Sequence, residues 1–173
     1  MRATLAAEPI LAAGLVDPAP EPVVAPLVCP PLPAEEGEGL DLILEGFLLH
    51  HGTPRQLVIR DAGRRVLAGD YCYAQGLVRV AASGDLVVIE ALADLIALGA
   101  AAVADGRRDA LAPLWAGTIA AIRSRRAGED PRDLSLRLSA AKRALRLDRD
   151  PGPLVALAGE LPGTGRLQEV FGA

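Results

Sequence analysis

Apolar residues recur at helical spacing through most of the chain, and the polar positions between them mark where each helix turns outward. Leu40, Ile43, Leu44, Phe47 and Leu48 fall on one face, which predicts a helix over 40–51 that ends at Gly52 and Pro54. Asp41 and Glu45 fall off that face and are expected on its exposed edge. Residues 62–82 are apolar nearly all round, with Arg64, Arg65, Asp70, Gln75 and Arg79 as the polar exceptions. Such a helix is expected at the centre of a fold. Ser83-Gly84-Asp85 combines a stop with a new N-cap and opens an apolar helix over 86–104. A fourth helix over 109–126 presents Leu111, Leu114, Trp115, Ile119 and Ile122 to the core, with Pro113 in its opening turn. Asp130-Pro131 reads as N-cap and first helical residue of a fifth, to 147, with Leu134, Leu138, Ala141 and Leu145 on one side.

The ends are less regular. Residues 2–15 suit a short Ala/Leu helix limited by Pro9, residues 150–159 another short helix, and the last residues a small tail. Leu57, Val58 and Ile59 would suit a strand, but no partner strand is visible, so 56–60 reads as a helix start or an extended connector. The pattern as a whole predicts an all-α helical bundle. Seven prolines between residues 17 and 33 rule out a regular helix there and predict an extended linker. The expected organisation is an N-terminal helix and proline-rich arm over 1–39, followed by a bundle domain over 40–173.

Composition refines this picture. Hydrophobic residues make up 51% of the chain but aromatic ones only 3%, which favours helices meeting through small side chains over a β-sandwich. The formal net charge of −4 gives no electrostatic basis for a nucleic-acid partner. Charge is uneven, however: residues 123–149 hold nine basic against four acidic side chains, so a positive face is expected there. Cys29 and Cys72 lack metal-ligand spacing and read as reduced thiols of a cytoplasmic protein. Glu90 and Asp94 interrupt the 86–104 run, and a carboxylate at a bilayer centre costs about 2.5–3.5 kcal/mol. A buried helix is expected there, not a transmembrane segment.

Four groups invite a chemical reading. His50-His51 point about 100° apart on a helix and read as a helix-terminal polar pair, not metal ligands. Glu90 and Asp94, at i and i+4, share a face and could flank a cation; a solvated stripe, or contacts with Arg79 or Arg108, explains them more simply. Pro162-Gly163-Thr164-Gly165-Arg166 resembles a phosphate loop but lacks its Lys-Ser/Thr ending and a preceding strand. Asp70 follows Gly69 inside an apolar helix, where a carboxylate needs a partner, expected to be a Tyr or Arg of a neighbouring helix.

The string Val66-Leu67-Ala68-Gly69-Asp70-Tyr71, followed by Ala74, resembles the Gly-Asp helix of polyprenyl diphosphate synthases. Leu42 to His50 is similar to the helix that precedes it in that family, and Gly52-Thr53-Pro54-Arg55 to the turn between them. The place of the family's Asp-rich DDxxD motif reads His50-His51-Gly52-Thr53-Pro54, without an aspartate. Without clustered carboxylates there is nothing to hold the magnesium that diphosphate ionisation needs. The chain therefore most resembles the non-catalytic small subunit of heptaprenyl diphosphate synthases. The resemblance implies a truncated isoprenoid-synthase-like bundle that is not catalytic on its own, with no cofactor or metal. It implies a catalytic synthase subunit or self-association as partner, an apolar prenyl chain as ligand, and Gly69, Asp70 and Tyr73 as the family-like binding positions. The alternatives are a helical interaction or scaffold protein with no isoprenoid role, and an active enzyme using Asp70, Glu90 and Asp94.

Overall fold

A computed structural model describes residues 1–130 and 132–172. It is all-α: helices α1 (Arg2–Ala6), α2 (Pro9–Ala12), α3 (Ala25–Val28), α4 (Ala34–His51), α5 (Ala62–Ala81), α6 (Leu86–Ala104), α7 (Leu111–Ala127), α8 (Arg132–Asp148), α9 (Gly152–Gly159) and α10 (Thr164–Gly172), with a 3-10 turn at Arg108–Ala110 before α7. Contacts group the chain into two compact units, one of Met1–Pro26 with Pro33–Gly84 and one of Leu27–Leu32 with Asp85–Ala173. Residues 1–26 thus pack with α4 and α5, a grouping that differs from a division at residue 39.

The first unit is built on α4 and α5. The first of these begins six residues before the expected start, with Glu35 and Glu36 in its opening turn, where the helix dipole favours negative charge. Asp61 caps α5 by accepting a hydrogen bond from the Arg64 N–H at 2.8 Å. Leu5 and Leu11 from α1 and α2 join Leu42, Leu49, Leu57, Ala68 and Cys72 in one buried cluster. The 56–60 segment does have a partner: Leu57 forms an isolated antiparallel bridge with Leu15, closed by Val16 N–H to Gln56 O at 2.9 Å and Val58 N–H to Gly14 O at 2.7 Å.

Three expectations fail in this unit. Asp41 and Glu45 are not an exposed edge but are 4% and 2% exposed, because each carboxylate terminates a run of backbone N–H groups. Asp41 accepts from Val23, Val24 and Ala25; Glu45 accepts from Arg55, Gln56 and Leu57. The proline-rich segment is therefore not a free linker, since Asp41 anchors it where it turns into α3. Nor is α5 buried all round. Its inward face carries Ala68, Gly69, Cys72, Gly76 and Val80, whereas Leu67 and Val78 are 68% and 67% exposed.

In the second unit, α7 is the central helix, packed by α6, α8, α9 and α10. Leu111, Leu114, Trp115, Ile119 and Ile122 are all buried, as their spacing predicts. Gly128 ends the helix in the left-handed conformation, at φ 69°, and Glu129 N–H returns to Ser124 O. The expected pairing of Asp130 with Pro131 as N-cap and first helical residue involves Pro131, which lies outside the described residues; Asp130 itself accepts from Arg132 N–H at 3.1 Å. The expected tail is instead α10, whose Leu167 is buried and whose Phe171 ring lies 6.0 Å from Trp115.

The helix α6 departs from the expected buried helix. It is long and apolar enough to cross a membrane, but only 33% of that window is buried, on the side of Val88, Leu92, Leu95, Leu98 and Ala102. The basic region of α7 and α8 is not a bare positive face either. Arg125 pairs with Asp85, Arg137 with Asp133 and Glu160, Lys142 and Arg146 with Asp94, and Arg149 with Asp105.

Candidate functional site

The three family-like positions lie on α5, which packs antiparallel against α4. Gly39 and Gly46 on α4, and Gly69 and Gly76 on α5, are each seven residues apart, close to two helical turns, so each pair shares a face. A Cβ on Gly76 would lie 2.5 Å from the Gly39 carbonyl oxygen, and one on Gly46 would lie 3.0 Å from that of Gly69 and 2.9 Å from the Tyr73 ring. The missing side chains let the two backbones approach closely.

His50 fills the notch over Gly69, where an added Cβ would meet its Nε2 at 2.5 Å. The imidazole stacks on Tyr73, with ring centroids 5.3 Å apart and planes 7° from parallel. Its Nε2 lies 3.2 Å from the Asp70 Oδ1 without forming a directed hydrogen bond. Asp70, with 64% of its side chain exposed, is therefore neither buried nor partnered by a Tyr or Arg; its neighbour is a histidine. One turn before Gly69, Arg65 donates to the carbonyls of Leu49 and Gly52, both at 2.6 Å, and so caps the end of α4.

The electrostatics of this cluster favour packing over nucleophilic chemistry. Burial, then the nearby Glu45 charge, pushes the Cys72 thiol up to about 12, so it is protonated at neutral pH and a poor nucleophile. Burial, reinforced by Asp70 and Cys72, also raises the Tyr73 phenol, whose hydroxyl is buried without a hydrogen bond. The structure brings Gly69, Asp70 and Tyr73 together and adds His50 and Gly46, which the sequence reading did not connect with them. The paired seven-residue glycine spacings were the available signal.

The remaining candidates separate into structural roles. His51 packs against Phe47, ring centroids 4.8 Å apart. Thr164, in the sequence resembling a phosphate loop, donates its hydroxyl to Ala158 O at 2.7 Å and helps to open α10. Asp94 is met not by Arg79 or Arg108 but by Lys142, at 3.0 Å, and Arg146. Among the described residues no group of three His, Cys, Asp or Glu side chains could hold a metal ion.

Burial raises the Asp94 carboxyl, but Lys142 and Arg146 outweigh that effect and hold it below the usual carboxylate range. Its contribution to stability is thus present above the ordinary value of 3.8 and is lost as pH falls through the lower folded value. Asp94→Asn leaves Lys142, 8% exposed, without a counter-ion. This should cost about 2 kcal/mol, less than for a fully buried pair because Asp94 is partly solvated. Urea unfolding at pH 7 and pH 3 checks it: the variant should be weaker at pH 7, and the gap should narrow in acid.

No family model, curated protein or solved structure matches the chain.

Proposed function

We propose that the chain is a non-catalytic helical subunit that works by association, and that it pairs with a catalytic polyprenyl synthase through the outer face of α5. The observation that carries this reading is the division of labour on α5. Its Gly69–Gly76 face is used up against α4, while Leu67, Ala74 and Val78 lie opposite on an exposed apolar stripe. The partner's identity rests on the likeness of the Gly69-Asp70 helix to that family. The engagement of the carboxylates also supports a non-catalytic role: Asp41 and Glu45 hold loops, Asp70 lies against His50, and Asp94 holds Lys142 and Arg146.

The test is to purify the chain alone and with the same organism's Asp-rich synthase, then assay isopentenyl diphosphate incorporation. Co-purification, with incorporation by the mixture that exceeds the synthase alone, is the expected result. Leu67→Glu with Val78→Glu should abolish co-purification while leaving the helical circular dichroism unchanged, because both positions already face solvent. Incorporation by the chain alone would overturn the non-catalytic reading. Self-association through this face without synthase binding would leave a scaffold bundle in its place.

A further inference from the structure

The second unit contains a cleft of about 440 Å³ between α6, α7 and α8, within the range of small-molecule sites. Its floor is apolar, formed by the buried Val88, Ile122 and Leu138. Its charged lining residues differ in what they have left to offer. Lys142 is buried and paired with Asp94 at 3.0 Å, and Arg125 is paired with Asp85 at 2.8 Å. Glu90, one turn before Asp94 on α6, lines the same cleft, is exposed, and has no ion pair among the described residues. Ser135 and Ser139, one turn apart on α8, add two hydroxyls.

We propose that this cleft binds a small primary ammonium ligand with an apolar body, the ammonium on Glu90 and the body on Val88, Ile122 and Leu138. The choice of charge follows from availability. A ligand carboxylate would have to displace Asp94 from Lys142 or Asp85 from Arg125, whereas a ligand cation meets a carboxylate that already faces the opening. The serine hydroxyls can accept hydrogen bonds from the N–H groups of the ammonium that do not reach Glu90. The site lies on different helices from the α5 face and does not depend on it.

The probes are 4-phenylbutylamine, 4-phenylbutanol and 4-phenylbutanoate, which share a body and differ in head charge. Titrated into the full chain at pH 7 by isothermal calorimetry or chemical-shift perturbation, the amine should bind about threefold to fivefold more tightly than the alcohol, the upper part of the range of an exposed ion pair. The acid should bind more weakly than the alcohol. Glu90→Gln should remove the amine's advantage, leaving amine and alcohol equal. Ser139→Phe, at an exposed position beside the cleft, should abolish binding of all three with unchanged circular dichroism. Preference for the acid, binding that survives Ser139→Phe, or no binding by any probe would each overturn the proposal.

Discussion

Gly76→Ala should destabilise the first unit by about 3 kcal/mol, although alanine is the better helix former by about 1 kcal/mol. The reason is what the new methyl would strike. It would lie 2.5 Å from the Gly39 carbonyl oxygen and 2.6 Å from an Ile43 side-chain carbon, and a carbonyl in the middle of α4 cannot turn aside as a side chain can. The helices must separate, which loosens contacts along the whole pair. The three atoms nearest a Gly69→Ala methyl all belong to the His50 ring, a side chain that can shift where a backbone carbonyl cannot, so its cost should be nearer ~1 kcal/mol. Gly165→Ala, in α10, meets nothing within 4 Å and should raise stability by about 0.5–1 kcal/mol through the unfolded chain. Thermal and urea unfolding of the three variants should rank them in that order. A neutral or stabilising Gly76→Ala would mean that the α4 and α5 backbones do not meet at this distance.

The same glycines show where the sequence was readable. Periodicity predicted the inward faces of α4 and α7 because their partners are other apolar side chains, which act on every third or fourth residue. It misjudged α5, expecting a helix apolar nearly all round to be central, because the exposed Val66, Leu67 and Val78 look as apolar as the true inner face, Ala68-Gly69-Cys72-Gly76. Spacing of small residues, not of large ones, marks that seam. Leu167 and Phe171, four apart, were the corresponding signal for α10. The candidate site was legible as a string, Gly69-Asp70, but not as a contact, because its other half, His50, is supplied by α4.

Asp41 and Glu45 could not be placed by periodicity, since it assigns any polar residue outside an apolar stripe to solvent. Their burial is decided by segments far along the chain. The N–H groups that precede and open a helix have no carbonyl of that helix to pair with, and buried donors need acceptors. Val23, Val24 and Ala25 find theirs in Asp41, across 16 to 18 residues. A buried carboxylate on the α4 face nearest those donors is thus their counterpart, and the arm and helix specify each other.

Replacing these two carboxylates should separate their roles sharply. Asp41→Ala or Glu45→Ala strands three backbone donors without an acceptor, and each should cost about 3–4 kcal/mol in unfolding experiments. The amide substitutions should differ, because the two carboxylates share out their donors differently. At Glu45, Oε1 accepts from Arg55, Gln56 and Leu57, at 3.1, 2.8 and 3.2 Å, and Oε2 accepts from Arg55 as well, at 3.0 Å. A glutamine carbonyl in the place of Oε1 still reaches all three donors, although its NH2 then faces the Arg55 N–H, so Glu45→Gln should cost about 1 kcal/mol. At Asp41, Oδ1 takes Val23 and Val24 while Oδ2 takes Ala25 at 2.9 Å. In Asp41→Asn one of those oxygens becomes an NH2 facing an N–H, so the cost should be at least about 2 kcal/mol. Burial pushes both carboxyls up, against the pull of their backbone donors and Arg55. Folding therefore favours their protonated forms: the stability they contribute is full below the ordinary carboxylate values and falls as pH rises through the raised ones. Glu45→Gln removes that slope and should compare best with the parent chain at neutral pH. If Glu45→Gln proved as damaging as Glu45→Ala, the full carboxylate, and not Oε1 as a shared acceptor, would be what holds residues 55–57 against α4.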